Sequence, residues 1–521
     1  MTARVLVEAG VGPIDQFDEL LATYRPFGDS RYIHEHLHAS YERRLRAVST
    51  VLPSAGRLVD AVSRLAPEIR YRVLGDTVVR CATQHAFRQV KTGVPYGLSQ
   101  EICDEVFEST TRQIDSGTTC GPLQATVPDV AFIGTGPRYG WVWTEDHADD
   151  VFGAAFRELI RENYGELLTT PSHAEIASLR EGVSLLEELV PQVARSTLPH
   201  THVVGLFTPT GKWAGRASGS QFRLGGTIFL NRELLRNPWW IAEHILHESL
   251  HQKLYDFRHA HSLLAQDLST VEQRLELETD DSAGIQVRVL SPWNTPGLAQ
   301  LNQWDTHRVL AAFHVYVHLS LMSSVARAEA PSLEKRYGTV EDPPPVMTTP
   351  RTAFGRAHYL GQSLATTCWD ELGLAGQLLV RWLMGVLADM DAAPPPNNAF
   401  VHLVLDRYLL EARMVERAEE QKALAEVVDE LCLREIAATR HILTTLGRTN
   451  EFEAAVRQLR DHHGIAGFSL VRQLVSQQLI AASSDGYTLD GADLGPGEAD
   501  DLVREMVEES SQALAAAGAV G

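Results

Sequence analysis

The chain is short of cysteine, of lysine and of long uncharged apolar runs, and each shortage narrows its reading. Its five cysteines, Cys81, Cys103, Cys120, Cys368 and Cys432, are odd in number and scattered, with no C-x-x-C spacing. That excludes a disulfide scaffold and fits free thiols in a reducing cytoplasm. No apolar run is expected to approach the roughly 20 residues of a membrane helix. Residues 1–8 contain no apolar core of the signal-peptide kind. A cytoplasmic protein with no membrane partner is therefore expected. Only five of the 46 basic residues are lysine, a bias of genome composition more than of function, and the formal net charge is −21. A surface made to bind nucleic acid needs clustered Lys and Arg, so no nucleic-acid partner is expected.

What is present is an ordinary globular composition, 44% hydrophobic and 22% charged, over 521 residues. That length is too great for one core and implies two to four packed units. Helical periodicity dominates residues 14–115, 151–164 and 173–196. Short β-like runs follow at 202–207 and 221–231, separated by Gly and Pro turns. A long apolar helix is expected over 304–327 and another over 403–446, with proline-rich loops at 343–345 and 394–396. The fold class expected is mainly α, with a small β-sheet flanking an HExxH metal-binding helix (α+β). The domain division expected is 1–195 as an N-terminal helical region suited to peptide binding, 196–330 as the HExxH catalytic core, and 331–521 as a C-terminal helical region completing it. Oligomeric state leaves no mark in the sequence.

The chemistry concentrates in His247-Glu248-Ser249-Leu250-His251. Histidines four apart share one helical face, so both imidazoles reach one metal ion, and the adjacent glutamate points to the same site. Asn237-Pro238 gives a helix start, an N-cap followed by proline at the first helical position. Residues 226–231 read as a strand just before it. A second literal match, His34-Glu35-His36-Leu37-His38, precedes the charged stretch 41–46. We read His34, Glu35 and His38 there as surface or interdomain residues.

Two histidines leave a metal site incomplete, and three completions compete. A metzincin arrangement fails, because Leu254 and Phe257 stand where its glycine and third histidine belong. A gluzincin-type zinc metallopeptidase would take Glu276 from Glu276-Leu277-Glu278-Thr279-Asp280, with Glu248 as general base. That match sits in an acidic run, 272–281, of the kind that is usually a solvated face. The third completion takes His314 from the helix at 304–327, where it lies among Ala311, Phe313, Val315 and Val317 and needs a buried partner.

The order Ser218-Gly219-Ser220, Gly226–Asn231, His247–Leu254, Ser291-Pro292-Trp293, Arg308 and Phe313-His314-Val315-Tyr316-Val317 resembles a bacterial family of HExxH-containing peptide-modification proteins. These accompany ribosomally made peptide natural products. Val309 stands where that family's pattern places a proline. The resemblance covers about residues 200–325. It implies an iron(II)- and 2-oxoglutarate-dependent oxygenase that hydroxylates the β-carbon of a residue in a precursor peptide. It further implies metal held by His247, His251 and His314, Glu248 as an orienting carboxylate, and 2-oxoglutarate bound by Arg308, Ser218 and Ser220. Zn(II) would replace iron in the peptidase alternative.

Overall fold

The computed structural model describes residues 13–117, 131–134, 140–145, 149–165, 167–265, 287–292, 302–340, 347–391, 401–417, 422–445, 449–458, 464–485 and 496–518. The described chain is mostly helical with two small sheets. It divides into two compact units, one of residues 1–262 and 318–350, the other of residues 263–317 and 351–521. The expected cuts after residues 195 and 330 do not coincide with these boundaries. Each unit is assembled from segments distant in sequence, which periodicity along the chain cannot reveal.

The first unit contains α1 (Pro13–Thr23), α2 (Ser30–Val48), α3 (Pro53–Ser63), α4 (Pro67–Gly75), α5 (Thr77–Thr92), α6 (Gln100–Asp115), α7 (Val151–Tyr164), α8 (His173–Leu189), α9 (Pro191–Thr197) and α10 (Pro238–Ala260). The stretch expected as one helix from 173 to 196 is broken. Pro191 cannot donate to the α8 ladder and instead occupies the first turn of α9. A four-stranded sheet of β1 (Trp141–Val142), β2 (Val203–Phe207), β3 (Ser218–Ser220) and β4 (Thr227–Asn231) runs in the order β1-β2-β4-β3. β1, β2 and β4 are parallel and β3 is the antiparallel edge, with Gly219 opposite Phe229. β2 and β4 are buried along their whole length, as parallel strands are.

α10 begins as its sequence predicts. Pro238 is in its first turn, and the Asn237 side chain accepts from the Trp239 N–H at 2.9 Å. It then runs 23 residues, most of them buried. α8 approaches it at Gly182, where a Cβ would stand 2.3 Å from Ile241, so only glycine permits this helix–helix distance. Three groups near its N-terminus are met by the segment after residue 317. Trp239 Nε1 donates to the Gly338 carbonyl, Asn237 Nδ2 to the Thr339 carbonyl, and the Glu243 carboxylate accepts from the Thr348 N–H and hydroxyl.

In the second unit, β5 (Val289–Leu290) pairs antiparallel with β6 (Gln303–Trp304), and α11 (Thr306–Tyr337) starts there, the unit boundary falling within it after Val317. α12 (Pro350–Ala365), α13 (Leu374–Met390), α14 (Val401–Arg417), α15 (Lys422–Thr445), α16 (Thr449–Gln458), α17 (Gly464–Asp485) and α18 (Pro496–Ala516) complete it. The region expected as a single helix over 403–446 is two, α14 and α15. Leu405, Tyr408, Ile442, Val475, Leu479 and Val507 share one buried apolar cluster. Arg472, with no exposed surface, lies inside this bundle. It donates to Glu435 Oε1 at 2.8 Å and to the Tyr408 carbonyl at 2.6 Å.

Residues 309–326 correct one expectation. They carry no Asp, Glu, Lys or Arg, and α11 is the one helix among the described residues long and apolar enough to cross a membrane. Yet 94% of its apolar window is buried inside the protein, as in the core helix of a globular fold. Cys81, Cys103, Cys368 and Cys432 are free thiols, as expected. Cys120 lies outside the described residues.

Candidate metal centre

Helical spacing sets out two stripes of polar residues on α10. His244, His247, His251 and Tyr255 follow one another at intervals of three and four, and their rings form a continuous series with centroids 6.4, 4.9 and 6.1 Å apart. Glu248, Gln252 and Asp256, also four apart, form the second stripe, and all three are buried.

The Nε2 atoms of His247 and His251 lie 3.2 Å apart. Two nitrogens bound to one first-row ion at about 2.1 Å would stand about 3.0 Å apart at right angles and about 3.4 Å apart in a tetrahedron. The observed pair falls between these values and fits a shared ion. The same spacing also suits a proton shared by two neutral rings. His244 is engaged elsewhere: its Nδ1–H donates to the Trp240 carbonyl at 2.9 Å and its ring stacks on Trp240.

Glu248, the first member of the second stripe, is held from the sheet. Ser218 and Ser220 are two residues apart on β3, so both hydroxyls project to one face. Ser218 donates to Oε1 and Ser220 to Oε2, each at 2.6 Å. Burial raises the Glu248 carboxyl above its ordinary value, while the two serine hydroxyls, His244 and Arg216 act against that rise. The serines expected to contact 2-oxoglutarate thus border the site with their hydroxyls on Glu248.

The other expected residues are found as follows. His314 is buried on α11, within the second unit. Arg308, on the same helix, is exposed, with its guanidinium 4.9 Å from the centre of the Trp304 ring. Glu276 and the acidic run 272–281 lie outside the described residues.

The early HExxH copy is corrected. Glu35 is exposed, but His34 and His38 turn inward from α2, and His34 stacks on Tyr71 with centroids 3.4 Å apart. His34, His200 and Asp256 bring metal-ligand-type atoms within 4.8 Å of one another. Protein groups already engage most of that set. Asp256 Oδ1 accepts from Arg80 at 2.5 Å, and Oδ2 meets His200 Nδ1 at 2.6 Å. A fully buried guanidinium on the same carboxylate opposes a cation there. Arg80 holds the Asp256 carboxyl well below the usual range against the opposing effect of burial, and burial pushes the His34 imidazole well down. No sequence signal announced Asp256, His200 and Arg80 as one group. The only hint was an aspartate among apolar positions late in α10. Comparison of the chain with family models and with curated proteins gives no match.

Proposed function

We propose that this chain is an iron(II)- and 2-oxoglutarate-dependent oxygenase that hydroxylates the β-carbon of a residue in a ribosomally made precursor peptide. The observation that carries this over a peptidase is the grip on Glu248. A hydrolytic general base needs a carboxylate oxygen open to the water it deprotonates. Here each oxygen already accepts a serine hydroxyl at 2.6 Å, so half of the carboxylate's acceptor sites are committed to β3, which suits a carboxylate that orients its neighbours.

In this reading His247 and His251 supply two ligands, and His314 is the sequence-derived candidate for the third. Three protein ligands leave positions for a chelating keto acid and O₂. When bound, iron(II) and 2-oxoglutarate supply the oxidation of a C–H bond by O₂. The chain's own residues place the ligands: α10 fixes the two imidazoles, and β3 fixes Glu248 beside them. Arg308 remains the residue proposed for the keto acid, while Ser218 and Ser220, whose single hydroxyl protons go to Glu248, border the site without a proton to offer it.

The test is anaerobic purification, reconstitution with Fe(II) and titration with 2-oxoglutarate, read by visible absorbance. A charge-transfer band near about 500 nm, as a keto acid chelated to iron with open positions gives, is expected. It should be lost in His247→Ala and His251→Ala. Absence of the band with iron bound, together with tight zinc binding and peptide cleavage abolished by Glu248→Gln, would transfer the case to a zinc metallopeptidase. Metal loss on Glu276→Ala rather than on His314→Ala would then identify the third ligand.

A further inference from the structure

Three residues of the first unit, distant in sequence, stand in a line. The Ser30 hydroxyl lies 2.6 Å from His200 Nε2, and His200 Nδ1 lies 2.6 Å from Asp256 Oδ2. Ser30 is the first residue of α2, His200 ends the 3₁₀ turn Leu198–His200 that follows α9, and Asp256 is on the buried stripe of α10. We propose that Ser30, His200 and Asp256 form a hydrolytic triad, independent of the His247–His251 centre, whose substrate is an ester carrying an anionic group.

Such a triad is defined by geometry and roles, whatever the chain order. The line serine oxygen–imidazole–carboxylate is complete at hydrogen-bond distances. His200 and Asp256 have no exposed surface, so water does not compete for the bond between them. Arg80 occupies the other oxygen of Asp256 and keeps the carboxylate ionised and fixed. The His200 ring is itself confined, with the His34 ring 4.4 Å away. The Ser30 hydroxyl also lies 2.7 Å from the Ser196 carbonyl oxygen. Its one proton is drawn by two acceptors, of which only the imidazole can carry it away.

Ser30 is the member that reaches the outside. It lines a cleft of about 330 Å³ together with Ser196, Thr23, Arg25, Arg31 and Arg195. Asp29, also in the wall, pairs with Arg25 at 2.6 Å. Three guanidiniums against one carboxylate make this cleft basic, in a chain whose formal net charge is −21. A local charge opposite to that of the whole molecule draws an anionic ligand.

In the first step the Ser30 oxygen bonds to the acyl carbon and its proton passes to His200 Nε2. The bond to the leaving alkoxide then breaks, and the alkoxide takes that proton. Water repeats the sequence to release the acid and restore Ser30. Asp256 remains ionised, holding Nδ1–H.

The full chain, dialysed against a chelator so that no metal-dependent hydrolysis contributes, is treated with a fluorophosphonate and mapped by mass spectrometry. An adduct on Ser30 is expected. Hydrolysis of p-nitrophenyl hemiglutarate should exceed that of p-nitrophenyl acetate by about tenfold or more, and Ser30→Ala should lower it by about a hundredfold or more. Thermal melting of Ser30→Ala confirms that the variant is folded. Wild-type protein that carries no fluorophosphonate on Ser30, or a folded Ser30→Ala that hydrolyses the ester as fast as wild type, overturns the triad. An adduct with no preference for the anionic ester overturns the substrate class.

Discussion

Gln252 Oε1 accepts the backbone N–H of Gly226 at 2.6 Å, while its Nε2 donates to the Thr227 carbonyl at 2.9 Å. This two-point contact joins α10 to the start of β4 and fixes the rotation of the helix about its axis. Gly226 has φ +84°, so the turn that presents its N–H is one that L side chains rarely adopt. Gln252→Leu should leave a buried N–H without its acceptor and cost about 1–3 kcal/mol of stability. Chemical denaturation measures this, and metal affinity should fall with it.

A metal held by His247 and His251 binds the folded chain and not the unfolded one, so it must stabilise the fold. At a free metal concentration a hundred times the dissociation constant, the gain is about 2.7 kcal/mol. Adding Fe(II) or Zn(II) should raise the melting temperature of wild-type protein and leave His247→Ala and His251→Ala unmoved. An equal rise in all three proteins would place the ion elsewhere.

His85 sets a pH dependence that needs no metal. Its Nδ1 accepts the Leu98 N–H at 3.0 Å, which only a neutral ring can do. Burial pushes its pKa down to about 4, with Arg88 and Arg223 adding to the shift. The unfolded chain binds the proton first, so this contribution is complete above pH 6.5 and lost as pH falls from there toward 4. His85 alone accounts for about 3 kcal/mol across that window. His34, His38, His202 and His259, also shifted down, steepen the decline. Denaturation in urea from pH 8 to pH 4 should show stability flat and then falling, and His85→Gln should fall less.

In the second unit, Arg472→Met removes the cation from a buried network. Glu435 and Glu411 would be left with a carboxylate surplus, although Tyr408 still donates to Glu435 and Ser511 to Glu411. The expected cost is about 3–5 kcal/mol. Adding Glu435→Gln should recover part of it, which a double-mutant cycle measures.

Local features were legible before the fold was known. Asn237 and Pro238 announced the start of α10, the spacing of His247 and His251 announced their shared face, and residues 202–207 and 226–231 announced β2 and β4. What failed depended on a second face or a distant segment. α2 was read from its charged side, Glu42 to Arg46, although Ile33, Leu37, Tyr41, Leu45 and Val48 form a buried stripe along it. That stripe takes His38 inward with it. Arg80, His200 and Asp256 meet only through tertiary packing of α5, the turn after α9 and α10. No spacing along the chain encodes that meeting.

The return of residues 318–350 to the first unit bears on synthesis. The acceptor for Trp239 is 99 residues downstream and the donor for Glu243 is 105. A ribosome delivering the chain from its N-terminus would hold α10 with these groups unmatched until residue 348 had emerged, long after the helix itself could coil. The histidine pair should therefore acquire its final setting late, and pulse-labelled nascent chains stopped before residue 338 should be more open to protease around α10 than chains stopped after 350.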